Sequence, residues 1–547
     1  MRRVCCGLAL ILGWAVVMSP SATFGQLISE SAALRAGLTR KWFTQIVLDP
    51  ARGRIEHVVL DDGTLFIATD QGILQAVDAE TGQTLWAERI GKQGHPVLPP
   101  DANSNVVALL SGSNLYFVNR HSGRLLREII VEGAPSGGIA LSERFAYVPT
   151  VTGVVYAYRL RQAPLPPEVQ ELPRDPTAPA ELTAEEQAQL ESRRREDFRL
   201  VRQADEPLVC PSIGHSWVGP TVIRESAAEE IVMWTTDAGM LFVGRVTGDA
   251  GLFSLFWRME TSGTTTAQPA YVLVDPSKAR AGMLVFASQD GYVHALHESD
   301  GQWLWRFSTG QPIIQPVVAI NRFIFVANQL GGMYCLDGRN GEQIWWTPDI
   351  LQFVAASKHR LYATDTFGRL LALDGRTGAK LESLPLTGMP IRLINTQTDR
   401  IYLASQSGLL QCLHEVDLKE PFVHFVPRPL GPQVEEADAA AGEPAARAPA
   451  EPMAPAGGDP FAPAAAPGGA APADDDPFAP PAPAAAAGAG PAGAFDAADD
   501  PFAMPAAAPA APAPAGGGMD DPFAPAPAGE GNAPLPADAD PFAPSGG

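Results

Sequence analysis

Between about residues 40 and 420, apolar side chains fall in short alternating runs broken by polar, glycine-containing turns. Thr64 to Thr69 encloses Leu65-Phe66-Ile67-Ala68, and after Gly72 comes a second run with Leu74 and Ala76 on one side. Alternation of this length suits a pleated, buried strand rather than a helix. Asp78, Thr81 and Gly82 then supply turn chemistry: the carboxylate accepts backbone N–H groups, and the glycine takes a positive φ without steric cost. Another run ends at Trp86. Each unit therefore predicts two hairpin strands around the turn, with a strand before them.

The unit repeats. Gly72, Gly291, Gly331 and Gly368 begin clear copies, and Ser113, Gly153, Gly239 and Gly408 begin weaker ones. Most steps are close to 40 residues, the length of one four-stranded propeller blade. The pattern predicts an all-β chain, a single β-propeller of about eight blades over 38–430, with seven blades as the alternative. Arg40 to Ile46 reads as the last strand of a blade that has no other strands before it. We expect it to pair into the eighth blade after Gly408–Leu413, which would hide both open sheet edges.

Two steps are long. Residues 161–207 form an insertion from the third blade, solvated and partly helical. Thr183 and Glu186 form a capping box there, ahead of a helix expected from Ala184 to about Arg202. The step from Gly239 to Gly291 predicts longer loops near Asp249 or Asp275.

The stretch Asp78-Ala-Glu-Thr-Gly-Gln-Thr-Leu-Trp86 resembles the quinoprotein (PQQ)-type propeller repeat, as do Gly341-Glu-Gln-Ile-Trp345 and Gly310-Gln-Pro312-Ile-Ile-Gln-Pro316. The resemblance spans roughly residues 40–420. It implies the propeller fold, but the family holds both quinone-dependent dehydrogenases and non-enzymatic propellers such as BamB of the outer-membrane assembly machine. Fold alone does not choose between them. The dehydrogenases carry adjacent cysteines, a stacking tryptophan and a calcium site of Glu, Asn and Asp near the ring axis. Here the one adjacent pair, Cys5-Cys6, lies in the leader, and the chain has no Cys-x-x-Cys-His motif. Trp42, Trp86, Trp257, Trp305 and Trp345 fall at blade ends, where packing between blades is their expected role. Cys335 and Cys412 take the small position of Ala76, Ala157, Ala295 and Ala372 and are expected to be free, buried thiols; Cys210 is expected in a loop between blades. His294 and His297 should face opposite sides of a strand, with His297 and His414 in turn positions, so no metal site is predicted. No catalytic residue, cofactor or metal ligand is assigned.

Charge changes the picture at the C-terminal end. The chain carries a formal −22. Residues 431–547 hold 17 Asp/Glu and one arginine, Arg447, so the body is only mildly acidic. That is unsuited to nucleic acid, which selects clustered cations. The Ala/Pro/Gly-rich tail cannot bury enough apolar surface to offset ordering entropy and is expected to be disordered. It repeats Asp-Pro-Phe-Ala five times, at Phe461, Phe478, Phe502, Phe523 and Phe542. Such spacing suits a multivalent ligand built from weak contacts; a low-complexity expansion with solvating acidity is the alternative. At the other end, Arg2-Arg3, an apolar run from Gly7 to Met18 and small residues before Gly25 read as a signal peptide, 1–25. The expectation is an exported, monomeric, non-enzymatic scaffold for protein partners, periplasmic, in the cell envelope or extracellular, with no transmembrane segment beyond the signal. The alternative is a PQQ-dependent dehydrogenase or quinone-binding sensor.

Overall fold

The computed structural model describes residues 26–49, 51–170, 183–202, 205–226, 228–248, 251–273 and 282–424. The signal peptide expected at 1–25 and the tail from 431, with the phenylalanines of its five repeats, lie outside the described residues.

Among the described residues, thirty-two strands make eight antiparallel four-stranded sheets. Blade 1 runs Ile55–Asp61, Thr64–Thr69, Ile73–Asp78 and Thr84–Arg89, from the ring axis outward. The eight-blade reading therefore holds over the seven-blade alternative. The second and third strands of each blade carry most of the buried apolar residues, and the clusters join side chains of adjacent blades. The inner strands are short, only two residues at Asp101–Ala102, Ala140–Leu141 and Ile391–Arg392.

The turn chemistry forms as the sequence implies. Asp78 Oδ1 accepts the backbone N–H groups of Glu80 and Thr81 at 3.1 and 2.7 Å, and Asp374 does the same for Arg376 and Thr377. Each turn receives a tryptophan from the blade before it. Trp86 lies over Gly123 and donates its Nε1–H to the Arg120 carbonyl at 2.7 Å; Trp305 lies over Gly341 and donates to Gly338 at 2.8 Å. Trp42, Trp257 and Trp345 make the same contact. Gly341 has φ +72°, and a Cβ there would stand 2.5 Å from the Trp305 ring, so glycine is required twice over.

In three blades the equivalent residue is not tryptophan: Arg127, Leu208 and Glu382. Each faces a blade whose own turn has been replaced. Blade 3 has the insertion there, blade 4 a different connection, in which the Gly251 N–H donates to the Gly248 carbonyl, and blade 8 no hairpin at all. Arg127 keeps the polar half of the contact, donating to the Arg159 carbonyl at 3.1 Å.

Blade 8 closes the ring. Leu38–Gln45 pairs antiparallel with Leu409–Glu415, with Trp42 opposite Cys412, as expected. The helix Glu30–Arg35, capped by Ser29, leads into this strand. After it the chain from 416 to 424 crosses beneath the blade. Fully buried Arg400 holds it, donating to the carbonyls of Leu418 and Lys419 and pairing with Asp399 and Glu80.

Other expectations are refined. The capping box of Thr183 and Glu186 is present, but the helix ends at Glu196, not near Arg202. Arg193, Arg194 and Arg195 suit the negative end of its dipole, and beyond it Phe198 and Leu200 turn into the core of blades 2 and 3. The insertion is thus pinned at its return, not wholly solvated. Cys210 is not in a loop. It sits fully buried in Leu208–Pro211, the outer strand of blade 3, which the 48-residue gap after Arg159 concealed. All three described cysteines are free and buried, and burial pushes their thiols well above the ordinary range. The long step after Gly239 is taken up partly by strands, Met240–Thr247 and Leu252–Glu260. The rest, near Asp249 and Asp275, lies outside the described residues. His294 is buried and His297 exposed, on opposite sides of one strand.

Candidate functional site

Antiparallel strands send alternate connections to opposite ends of the ring. One end carries the insertion and the chain leaving at 424. The other carries the tight turns between second and third strands and the links that run from each outer strand back to the axis. These links are rich in proline: Pro96, Pro99, Pro100, Pro135, Pro220 and Pro269. Proline has no N–H to leave unpaired, so it is tolerated at an inner edge that has no further strand beside it.

The links and inner strands of blades 1–5 enclose an axial cavity of about 630 Å³. Glycines let the backbone crowd its wall: a Cβ on Gly137 would lie 3.0 Å from the Trp217 and Val218 backbone. His57, Asp101, Thr221 and Gln268 bring polar side chains to it. His57 Nε2 lies 3.0 Å from the Val97 carbonyl, so that nitrogen carries the proton, and burial holds the imidazole below its ordinary pKa. Asp101 accepts the Leu141 N–H at 2.7 Å; burial, with the nearby Asp61 charge adding to it, raises its carboxyl to about 7. Thr221 and Gln268 complete the polar lining.

At the rim stands Trp217, half exposed. Its Nε1–H donates to Asp237 Oδ2 at 3.1 Å, and the same oxygen meets His215 Nδ1 at 2.9 Å. Burial raises the Asp237 carboxyl, but the hydrogen bonds from the His215 backbone and ring and from Trp217 outweigh it and hold it below the usual range. Val151 and Ile213, on neighbouring turns, are 41 % and 52 % exposed. The result is an apolar rim with one indole held by Asp237, beside a cavity whose buried acid is pushed up towards neutrality.

At the opposite end of the ring, blades 3 and 4 share a buried carboxylate cluster. Glu230 accepts from Tyr147 Oη at 2.7 Å, Ser142 Oγ at 2.9 Å and Arg144 Nε at 2.8 Å. Neighbouring Glu225 accepts the Glu143 N–H at 2.6 Å, and burial followed by the Glu230 charge raises it to about 7. A carboxyl raised in the fold binds a proton that the unfolded chain releases. Its contribution is therefore greatest near pH 4 and is lost as pH rises towards about 7. We expect the stability difference between wild type and Glu225→Gln to change by roughly 1–3 kcal/mol across that window, with the wild type losing ground as pH rises. Urea denaturation from pH 4.5 to 8 measures it; parallel curves would refute the assignment. The difference cancels the opposite trend from His57 and His424, whose lowered pKa values cost stability as pH falls.

Sequence reasoning assigned none of these residues. Trp217 carried the one usable signal, an indole in a Gly/Pro-containing link where the other links hold none. Asp101, His57 and Gln268 come from separate blades and have no common motif. Among the described residues no group of three or more His, Cys, Asp or Glu is placed to hold a metal, and no helix is long and apolar enough to cross a membrane.

The closed ring of eight sheets, the Asp–Thr–Gly turns and the tryptophans docked on them define a PQQ-like β-propeller. The family model described as outer membrane protein assembly factor BamB matches residues 25–164 and 255–412, more than half of the chain, and the chain belongs to that family. The unmatched 165–254 hold the insertion and most of blade 4. No curated protein matches in sequence. Among solved structures, BamB from Moraxella catarrhalis is 12 % identical with a TM-score of 0.47, covering 69 % of this chain and 97 % of its own. Quinohemoprotein alcohol dehydrogenase from Comamonas testosteroni is 11 % identical with a TM-score of 0.45, covering 71 % and 78 %. The designed protein Ika8 is 12 % identical with a TM-score of 0.44, covering 66 % and 96 %.

Proposed function

We propose that this chain is an exported, non-enzymatic scaffold of the cell envelope that binds protein partners at the rim of the axial cavity. The observation carrying this reading is the half-exposed apolar rim of Val151, Ile213 and Trp217, with the indole fixed by Asp237. Aromatic anchors held rigid before binding lose little entropy on association and are the usual energetic centres of interfaces. The acidic tail, with Phe461, Phe478, Phe502, Phe523 and Phe542, is proposed as a second, multivalent binding element.

Crosslinking capture from the native envelope tests both parts, comparing wild type, Trp217→Ala with Ile213→Ser, and a chain ending at Leu430. The rim variant is expected to lose captured partners that the truncated chain retains, and the truncated chain to lose a different set. An unchanged set for both variants overturns the reading. Stoichiometric, calcium-dependent uptake of pyrroloquinoline quinone would replace it with the alternative, a quinone-dependent dehydrogenase or sensor.

A further inference from the structure

The eight blades repeat one tight turn between second and third strands, so each position in it can be compared eight times within the chain. The residue before the turn glycine, or before Ser113 in its place in blade 2, is polar or no larger than alanine in six blades: Gln71, Gly112, Thr152, Ala238, Asp290 and Ser407. In blades 6 and 7 alone it is large and apolar, Leu330 and Phe367. These are also among the most exposed apolar side chains described, at 70 % and 79 %.

The two turns touch. A Cβ on Gly331 would lie 2.9 Å from Thr366 Cγ2, and Thr366 N–H donates to the Asp349 carbonyl beside it. Leu330 and Phe367 therefore stand as neighbours on one end of the ring. The turn bearing Leu330 is bonded to the link that carries half-exposed Ile314, through Gln329 N–H to the Pro312 carbonyl at 2.8 Å. At its base lies Trp346, also half exposed, with its Nε1 against Gly332. The Arg369 guanidinium sits 5.2 Å from the centre of the Phe367 ring while pairing with Asp365 at 2.7 Å. Arg392 donates to the Gly368 carbonyl in the same turn and adds a positive charge beyond the Arg369–Asp365 and Lys380–Asp349 pairs.

We propose that this knob seats the propeller on a lipid surface. Its shape favours lipid over a protein partner: Leu330 and Phe367 project from the tips of convex turns and line none of the cavities by Trp217, His95 or Arg224. Its chemistry is layered as an interface is. Apolar tips lead, an indole follows where tryptophan prefers the headgroup boundary, and Arg392 beside the same turn adds a positive charge beyond the Arg369–Asp365 pair to meet phosphate. The surface is distinct from the Val151–Ile213–Trp217 rim, which belongs to blades 3 and 4.

Flotation of the full chain with vesicles of phosphatidylethanolamine and phosphatidylglycerol tests the proposal. Leu330→Ser with Phe367→Ser is expected to lower partition on the order of tenfold or more. Trp217→Ala should leave it unchanged, so failure here and failure of the partner-binding reading are separable. Arg392→Gln should weaken binding to these vesicles more than to phosphatidylcholine alone. In Phe367→Trp, acyl-chain bromines should quench the added indole, which reports that side chain whatever else anchors the protein. Absence of flotation, equal flotation by the double variant, or an unquenched indole at 367 would each overturn the proposal. A crosslinked protein lost only in the double variant, without flotation, would assign the tips to a protein pocket instead.

Discussion

Trp305→Ala is expected to destabilise the propeller by about 3–5 kcal/mol, the range for emptying a buried large aromatic site. The indole packs into the seam between blades 5 and 6 and is 8 % exposed. Its removal opens a cavity over Gly341 and strips the Gly338 carbonyl of its donor. Trp303, two residues earlier on the same strand, is 49 % exposed, so Trp303→Ala should cost well under half as much. Arg127→Ala, at the equivalent position of blade 2, loses a charged donor and an aliphatic stem but no indole and should also fall well short. Denaturant midpoints for the three variants measure this, and equal losses at 303 and 305 would show that the docked tryptophan is not what joins the blades.

The larger effect belongs to the closing strand. A chain lacking residues 26–45 loses the partner of 409–415 and the burial of Leu38 and Trp42. At roughly 1.5–3 kcal/mol per buried side chain and about 1 kcal/mol per hydrogen bond, the loss is on the order of 5–10 kcal/mol. That is comparable to the whole stability of an ordinary domain. The exposed edge of Leu409–Glu415 also becomes a template for intermolecular pairing. Scanning calorimetry should show no cooperative transition near that of the full chain, and size-exclusion chromatography should show aggregates. A monomeric, cooperatively folding product would mean that seven blades and an open eighth suffice.

The repeat made the ring legible because its signals are local. Asp78 with Thr81 and Gly82, Trp86 at the next strand end, and Thr183 with Glu186 each act within a few residues, so spacing alone exposes them. Even the closing strand could be read, since Arg40 to Ile46 is a blade end without a blade. What stayed hidden depends on distance. The inner strands at Asp101–Ala102 and Ala140–Leu141 are too short to show a period. The cavity wall is assembled from five blades, so His57, Asp101 and Trp217 meet only once those blades pack side by side. Cys210 was misplaced because its strand is separated from its hairpin partner Val154–Arg159 by the insertion. The three missing tryptophans make sense only after the receiving turns are known to be absent.

The pairing of residue 38 with residue 415 also sets an order of events during synthesis. The first strand leaves the ribosome with no blade to join, and its partner is made some 370 residues later. At about 5–20 residues per second that interval is roughly 20–70 s. Blades 1 to 7 can zip against one another as each is completed, but the ring stays an open arc throughout. The amphipathic strand with Trp42 and Phe43 must be kept from other sheet edges for that whole time. A slow final phase that is insensitive to proline isomerisation is therefore expected in refolding, and it marks the window in which this propeller is most open to mispairing with a second copy of itself.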